Sequence, residues 1–115
     1  MITYDISDLP ELMQKAITKL IQKYPEIATR DGSKGRCVKI SDELLIEMDE
    51  INMYNCNCHC EKLSECSHLV NGDVVGNGDP IMPHHWVWVD GWNIDLTARQ
   101  FDENDLFPKI WRNDE

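Results

Sequence analysis

Apolar residues recur every three or four positions along the first half of the chain and every second position in one later stretch. Leu9, Leu12, Met13, Ala16, Ile17, Leu20 and Ile21 carry the helical period. They predict a one-faced helix capped by Ser7 or Asp8, with Pro10 in its first turn, ending near Tyr24 ahead of Pro25. Val38, Ile40, Leu44, Leu45 and Met48 repeat the period within CVKISDELLIEM. They predict a second helix with Cys37 at or just before its first turn. Between the two, Arg30 to Arg36 (RDGSKGR) reads as a glycine-containing loop. It lacks the GxxxxGK[ST] order and a preceding apolar strand, so no phosphate-binding loop is expected.

From His84 to Phe101, HHWVWVDGWNIDLTARQF, the period becomes two and Asp90-Gly91 predicts a two-residue hairpin turn. Counting outward from that turn pairs Val89 with Trp92, Trp88 with Asn93, Val87 with Ile94, Trp86 with Asp95, His85 with Leu96 and His84 with Thr97. Opposed residues share a face. One face carries His85, Val87, Val89, Trp92, Ile94 and Leu96 and belongs to the core. The other carries His84, Trp86, Trp88, Asn93, Asp95 and Thr97. His84 and Asp95 become diagonal neighbours within hydrogen-bond reach, and a carboxylate that orients an imidazole is half of a catalytic triad. A slip of one residue would flip one strand and exchange His85 for His84. In the expected register, His85 packs in the core.

Elsewhere the signals are weaker. The helical pattern breaks from Ile51, and Val74 and Val75 offer a brief strand inside the turn-rich segment Leu69 to Pro83. Phe101, Leu106, Phe107, Ile110 and Trp111 are expected to dock on the core from an acidic tail in which Asp114 and Glu115 fray. The fold expected is a single α+β domain over residues 1–115, with N-terminal helices packed on a short antiparallel sheet.

Composition narrows the function classes. A chain of 115 residues with 42% hydrophobic content can bury one core. There is no membrane-length apolar run and no basic segment followed by an apolar one, so a cytoplasmic location is expected. The net charge of −10 argues against nucleic acid and anionic membranes as partners.

Of five cysteines, four lie between Cys56 and Cys66, and Cys37 stands apart. Cys56, Cys58 and Cys60 alternate and are followed by Cys66 and His68. Such soft ligands suit a tetrahedral structural zinc, with His59 as a further donor. Disulfides and unliganded thiols are the alternatives, and a cytoplasmic setting disfavours the disulfides. Cys37, at a helix start after a glycine, has a position that favours the thiolate and hence a nucleophile. Its plain alternative is a small buried hydrophobe.

The segments GRCVKISDELL and HHWVWVDGWNIDLTARQF together resemble the papain-like and transglutaminase-like cysteine hydrolase superfamily. They are most similar to small bacterial and phage members with histidine-x-tryptophan, a hairpin, Asp-x-Thr and Gln-Phe. The resemblance implies Cys37 as nucleophile, His84 as general base and Asp95 as the residue orienting the histidine. Trp86, Thr97 and Gln100, with Phe101, would shape the substrate pocket. It also implies hydrolysis or acyl transfer at an amide or thioester (protease, deamidase or transamidase), a protein or peptide substrate and no catalytic cofactor. Two features depart from that pattern. Asp31, Ser33 and Lys34 stand where papain-like enzymes place a glutamine oxyanion donor, and the Cys-rich insert at 56–68 is additional. The insert would hold its zinc in place of secondary structure. The competing class is an inactive binding module of the same fold, zinc-stabilised and presenting Trp86, Trp88 and Trp111 to a partner. A zinc hydrolase or deaminase is disfavoured, since neither HExxH nor the deaminase signature is present.

Overall fold

The structure is a computed structural model, which describes residues 2–56, 59–66, 69–78 and 83–112. Helix α1, Glu11–Lys23, buries Met13, Ala16, Ile17 and Leu20, the stripe that the period of three and four selects. Its start differs from expectation. Ser7 and Asp8 belong to a preceding 3-10 turn, Ile6–Asp8, where the Asp8 carboxylate accepts from the Asp5 N–H (2.9 Å), and Pro10 leads into α1.

The segment expected to be a loop contains a helical turn, α2, Arg30–Ser33. Thr29 caps it by accepting the Gly32 N–H at 3.0 Å, and the Ser33 hydroxyl donates back to the Thr29 carbonyl at 2.8 Å. These side-chain bonds supply what an apolar period would otherwise have signalled.

Helix α3, Cys37–Asn55, starts where predicted but does not break at Ile51. Ile40, Leu44 and Met48 are buried and Ile51 packs against the same core, so the stripe continues for another turn.

Strands β1 (Gly72–Gly76), β2 (His85–Val89), β3 (Trp92–Asp95) and β4 (Lys109–Arg112) form an antiparallel sheet in the order β1-β2-β3-β4. The hairpin register is the predicted one, with Val87 opposite Ile94, Trp88 opposite Asn93 and Val89 opposite Trp92. At the turn, Asp90 and Gly91 both have positive φ, 50° and 84°, as a two-residue primed turn requires. Val87, Val89, Ile94 and Ile110 form the inner face of the sheet and share one buried cluster with α1 and α3. The tail does more than dock, because Lys109–Arg112 is a full strand paired with β3.

The architecture is therefore α+β, with three α-helices and a four-stranded antiparallel sheet among the described residues. No helix among these residues is long and apolar enough to cross a membrane.

Candidate active site

Cys37 is the first residue of α3, and Ser41 one turn later donates its hydroxyl to the His85 carbonyl at 3.3 Å. That bond seats the start of α3 on the start of β2. The Cys37 Sγ lies 3.9 Å from Nδ1 of His85. His84, one residue earlier, takes a different set of partners. Its Nε2 is 2.6 Å from Asp95 Oδ2, and its Nδ1 is 2.8 Å from Gln100 Nε2.

The diagonal contact between His84 and Asp95 thus forms as the hairpin register requires. The contact of Cys37 with His84 does not form; the thiol meets His85 instead. Strand parity supplies the reason. His85 shares its face with Val87 and Val89, and α3 packs on that face, so the histidine on the core side meets the residue opening the helix. His85, the first residue of β2, is only half-buried.

The face carrying His84 and Asp95 is largely covered. His84, Asn93, Asp95 and Thr97 are all buried. Each has a partner that makes burial tolerable. The Thr97 backbone N–H donates to Asp95 Oδ1 at 2.9 Å and its hydroxyl lies 3.4 Å away. Thr97 therefore holds the carboxylate and is itself too buried, at 1% exposure, to line an open pocket. Trp86 donates its indole N–H to the Asn93 side chain at 2.9 Å and lies 5.7 Å from Trp111 between ring centroids. Trp86, Trp88 and Trp111 are half-buried, so they do not form the freely exposed set expected of a binding face. Phe101 meets the His84 ring edge-on at 4.9 Å and is 43% exposed.

Gln100 connects the two halves of the site. Its Oε1 accepts the Gly35 N–H at 3.3 Å, two residues before Cys37, while its Nε2 faces His84. The turn bearing it, Ala98–Gln100, is pinned by Arg99, which donates to the carbonyls of Ala28 and Asp105, both at 2.9 Å. The Asp105 carboxyl titrates below its ordinary range. Burial pushes it up, but the Lys109 ammonium and the Leu106 N–H outweigh that. The sequence pattern places Gln100 beside the pocket but does not reveal this bridge. Its available signal was the Gln-Phe pair three residues after Thr97.

Of the proposed zinc ligands, Cys58 and His68 lie outside the described residues. Cys56 follows α3, and its Sγ lies 3.9 Å from Sγ of buried Cys66. Cys60 Sγ donates to the Glu65 carbonyl at 3.1 Å, next to Cys66 in the chain. Cys37 is a free cysteine. Among the described residues, no three His, Cys, Asp or Glu side chains gather where they could hold a metal ion.

Compared with known proteins, the chain matches no family model, no curated protein and no solved structure.

Proposed function

We propose that this chain is a papain-like or transglutaminase-like cysteine enzyme that transfers the acyl group of an amide or thioester, with Cys37 as nucleophile. The observation that carries the reading is the hydrogen-bonded chain Gly35–Gln100–His84–Asp95. It ties the loop preceding a helix-opening cysteine to an imidazole oriented by a buried carboxylate. A nucleophile, a base and an orienting group are the recurring parts of such sites.

In this reading His84 takes the Cys37 proton and the thiolate attacks the carbonyl carbon. The tetrahedral adduct collapses as the carbon–nitrogen bond breaks and the imidazolium gives its proton to the leaving amine, leaving a thioester on Cys37. Water, deprotonated by His84, then attacks the thioester, and the released thiolate regains the proton. An acceptor amine in place of water gives transamidation. The first-turn N–H groups of α3, which have no partner within the helix, face the developing oxyanion. A protein or peptide substrate is the expected class. No cofactor takes part in these steps.

His85 competes with His84 for the role of base. It touches the thiol but has no carboxylate partner of its own, whereas His84 has the carboxylate and no contact with the thiol. We assign the base to His84, because Asp95 fixes its tautomer and stabilises the imidazolium as it forms.

The insert has a structural role in the same reading. Two thiolates on one tetrahedral zinc sit about 3.8 Å apart, given a Zn–S bond of about 2.3 Å. The Cys56–Cys66 separation of 3.9 Å fits that edge.

The test uses p-nitrophenyl acetate as a generic acyl donor, with mass spectrometry to locate the acyl group. Wild type is expected to acetylate at Cys37 and turn over, Cys37→Ala to lose turnover, and His84→Ala to lose about 100-fold or more. If Cys37 acetylates no faster than the cysteines of the insert, the domain is no acyl-transfer enzyme and the binding-module reading replaces it.

A further inference from the structure

We propose that Gln100 is a gate on the base: in the described arrangement it occupies the His84 nitrogen that must receive the thiol proton, and its side chain has to swing away before catalysis. The inference rests on the acyl-transfer reading and concerns the regulation of that same site.

The orientation of the Gln100 amide is fixed by chemistry. The Gly35 N–H can only donate, so the atom facing it is Gln100 Oε1, and the NH2 group faces His84 Nδ1. An NH2 group can only donate there, so Nδ1 presents a lone pair. The ring proton then sits on Nε2 and is donated to Asp95 Oδ2 over 2.6 Å. Asp95 is held in turn by the Thr97 N–H. The network therefore specifies one state of His84, neutral, with the proton on Nε2 and Nδ1 capped. That is the tautomer a general base needs, with the needed lone pair already engaged. The thiol rests meanwhile against His85, 3.9 Å away.

The surroundings separate motion of the side chain from motion of the backbone. The Gln100 N–H donates to the Thr97 carbonyl at 3.1 Å, and its neighbour Arg99 is bonded to Ala28 and Asp105. The Gln100 side chain, by contrast, has its two polar contacts at its tip and is half-buried. A substrate amide carries the same acceptor and donor as the Gln100 carboxamide. On entering beside Cys37 its carbonyl can take over the Gly35 N–H, while the released Gln100 carboxamide turns to solvent and His84 Nδ1 is left open for the thiol proton. Gln100 is thus a positioning residue: it sets the His84 tautomer and withholds the base until the site is filled.

The experiment compares wild type with Gln100→Met, which keeps the bulk and removes both hydrogen bonds, and with Gln100→Ala. Two readouts are taken: the ring 15N shifts of His84, and the pH profile of Cys37 acetylation by p-nitrophenyl acetate. In wild type, His84 is expected to show an unprotonated, hydrogen-bonded Nδ1. Both variants are expected to lose that signature and to acetylate about tenfold faster, the worth of one lost hydrogen bond on the resting base. A packing role alone would move the melting temperature and leave the pH profile in place. A wild-type Nδ1 that carries the proton overturns the gate, as does a wild-type acetylation rate that neither variant raises. If Cys37 is inert in all three proteins, the gate falls together with the acyl-transfer reading. An active wild type whose rate neither variant raises removes the gate alone.

Discussion

Two adjacent histidines, His84 and His85, show how much one step along a strand decides. Val87 and Val89 place His85 on the inner face, and Asp95 draws His84 to the outer one. The sequence contains enough to assign these faces, since the Asp90-Gly91 turn and strict alternation settle the register. It does not reveal that the helix bearing Cys37 starts on the inner face, because helix placement comes from packing along the whole stripe from Ile40 to Ile51. Hence the His84–Asp95 pair was legible and the Cys37–His85 contact was not. Asp95 is the residue on which the buried pair depends. Asp95→Asn keeps the shape but removes the acceptor that holds the proton on His84 Nε2, so the other tautomer is favoured. The expected result is a drop of about 100-fold or more in Cys37 acetyl turnover, with a stability loss of about 1–3 kcal/mol from disturbed buried polar groups. Stopped-flow kinetics and urea unfolding on the same preparation separate the two effects. An Asp95→Asn protein that turns over like wild type would remove Asp95 from the mechanism.

At the scale of elements, apolar periodicity finds α1, α3 and the hairpin, and misses what side-chain hydrogen bonds or strand pairing create. Helix α2 exists because Thr29 and Ser33 satisfy its ends, and β4 because β3 offers a free edge to the short run around Ile110. Tyr4 adds its N–H to the Ile110 carbonyl at 3.0 Å, fastening the N-terminus alongside. The turn before Cys37 is similarly tight. At Gly32 an added Cβ would stand 1.9 Å from the Glu26 carbonyl oxygen, a backbone atom that cannot move aside independently. Gly32→Ala is therefore expected to destabilise the fold by about 1–3 kcal/mol or more, despite alanine's better helix propensity. Because α2 leads through Gly35 into α3, the same change should loosen the Gly35–Gln100 bond and disturb Cys37 acetylation. Urea unfolding checks the first effect and the acetylation rate the second. Unchanged stability would mean that the Pro25–Ala28 turn yields as a unit, and that Gly32 places no constraint on the approach to Cys37.

Across the whole molecule, the Cys-rich insert joins the far end of α3 to the β1 edge of the sheet, while Cys37 sits at the near end of the same helix. A clasp there would fix the pitch of α3 on the sheet, and with it the placing of Cys37. The Cys56–Cys66 geometry fits two corners of a zinc tetrahedron, and Val70 is held on the Asp49 carboxylate at 2.6 Å where the chain returns to α3. A zinc-loaded clasp predicts about one zinc per chain on purification under reducing conditions, lost in Cys56→Ser and Cys66→Ser. Binding energy of a structural zinc is folding energy, so removing the metal with a strong chelator should lower the melting temperature and restoring zinc should recover it. Cobalt in place of zinc should give the intense visible bands of a tetrahedral thiolate site. A metal-free protein whose melting temperature ignores the chelator would return the insert to free thiols. One that loses two titratable thiols without metal would make the close Cys56–Cys66 pair a disulfide instead. Neither result touches the His84–Asp95 pair, which needs only the hairpin register, so the two proposals stand or fall separately.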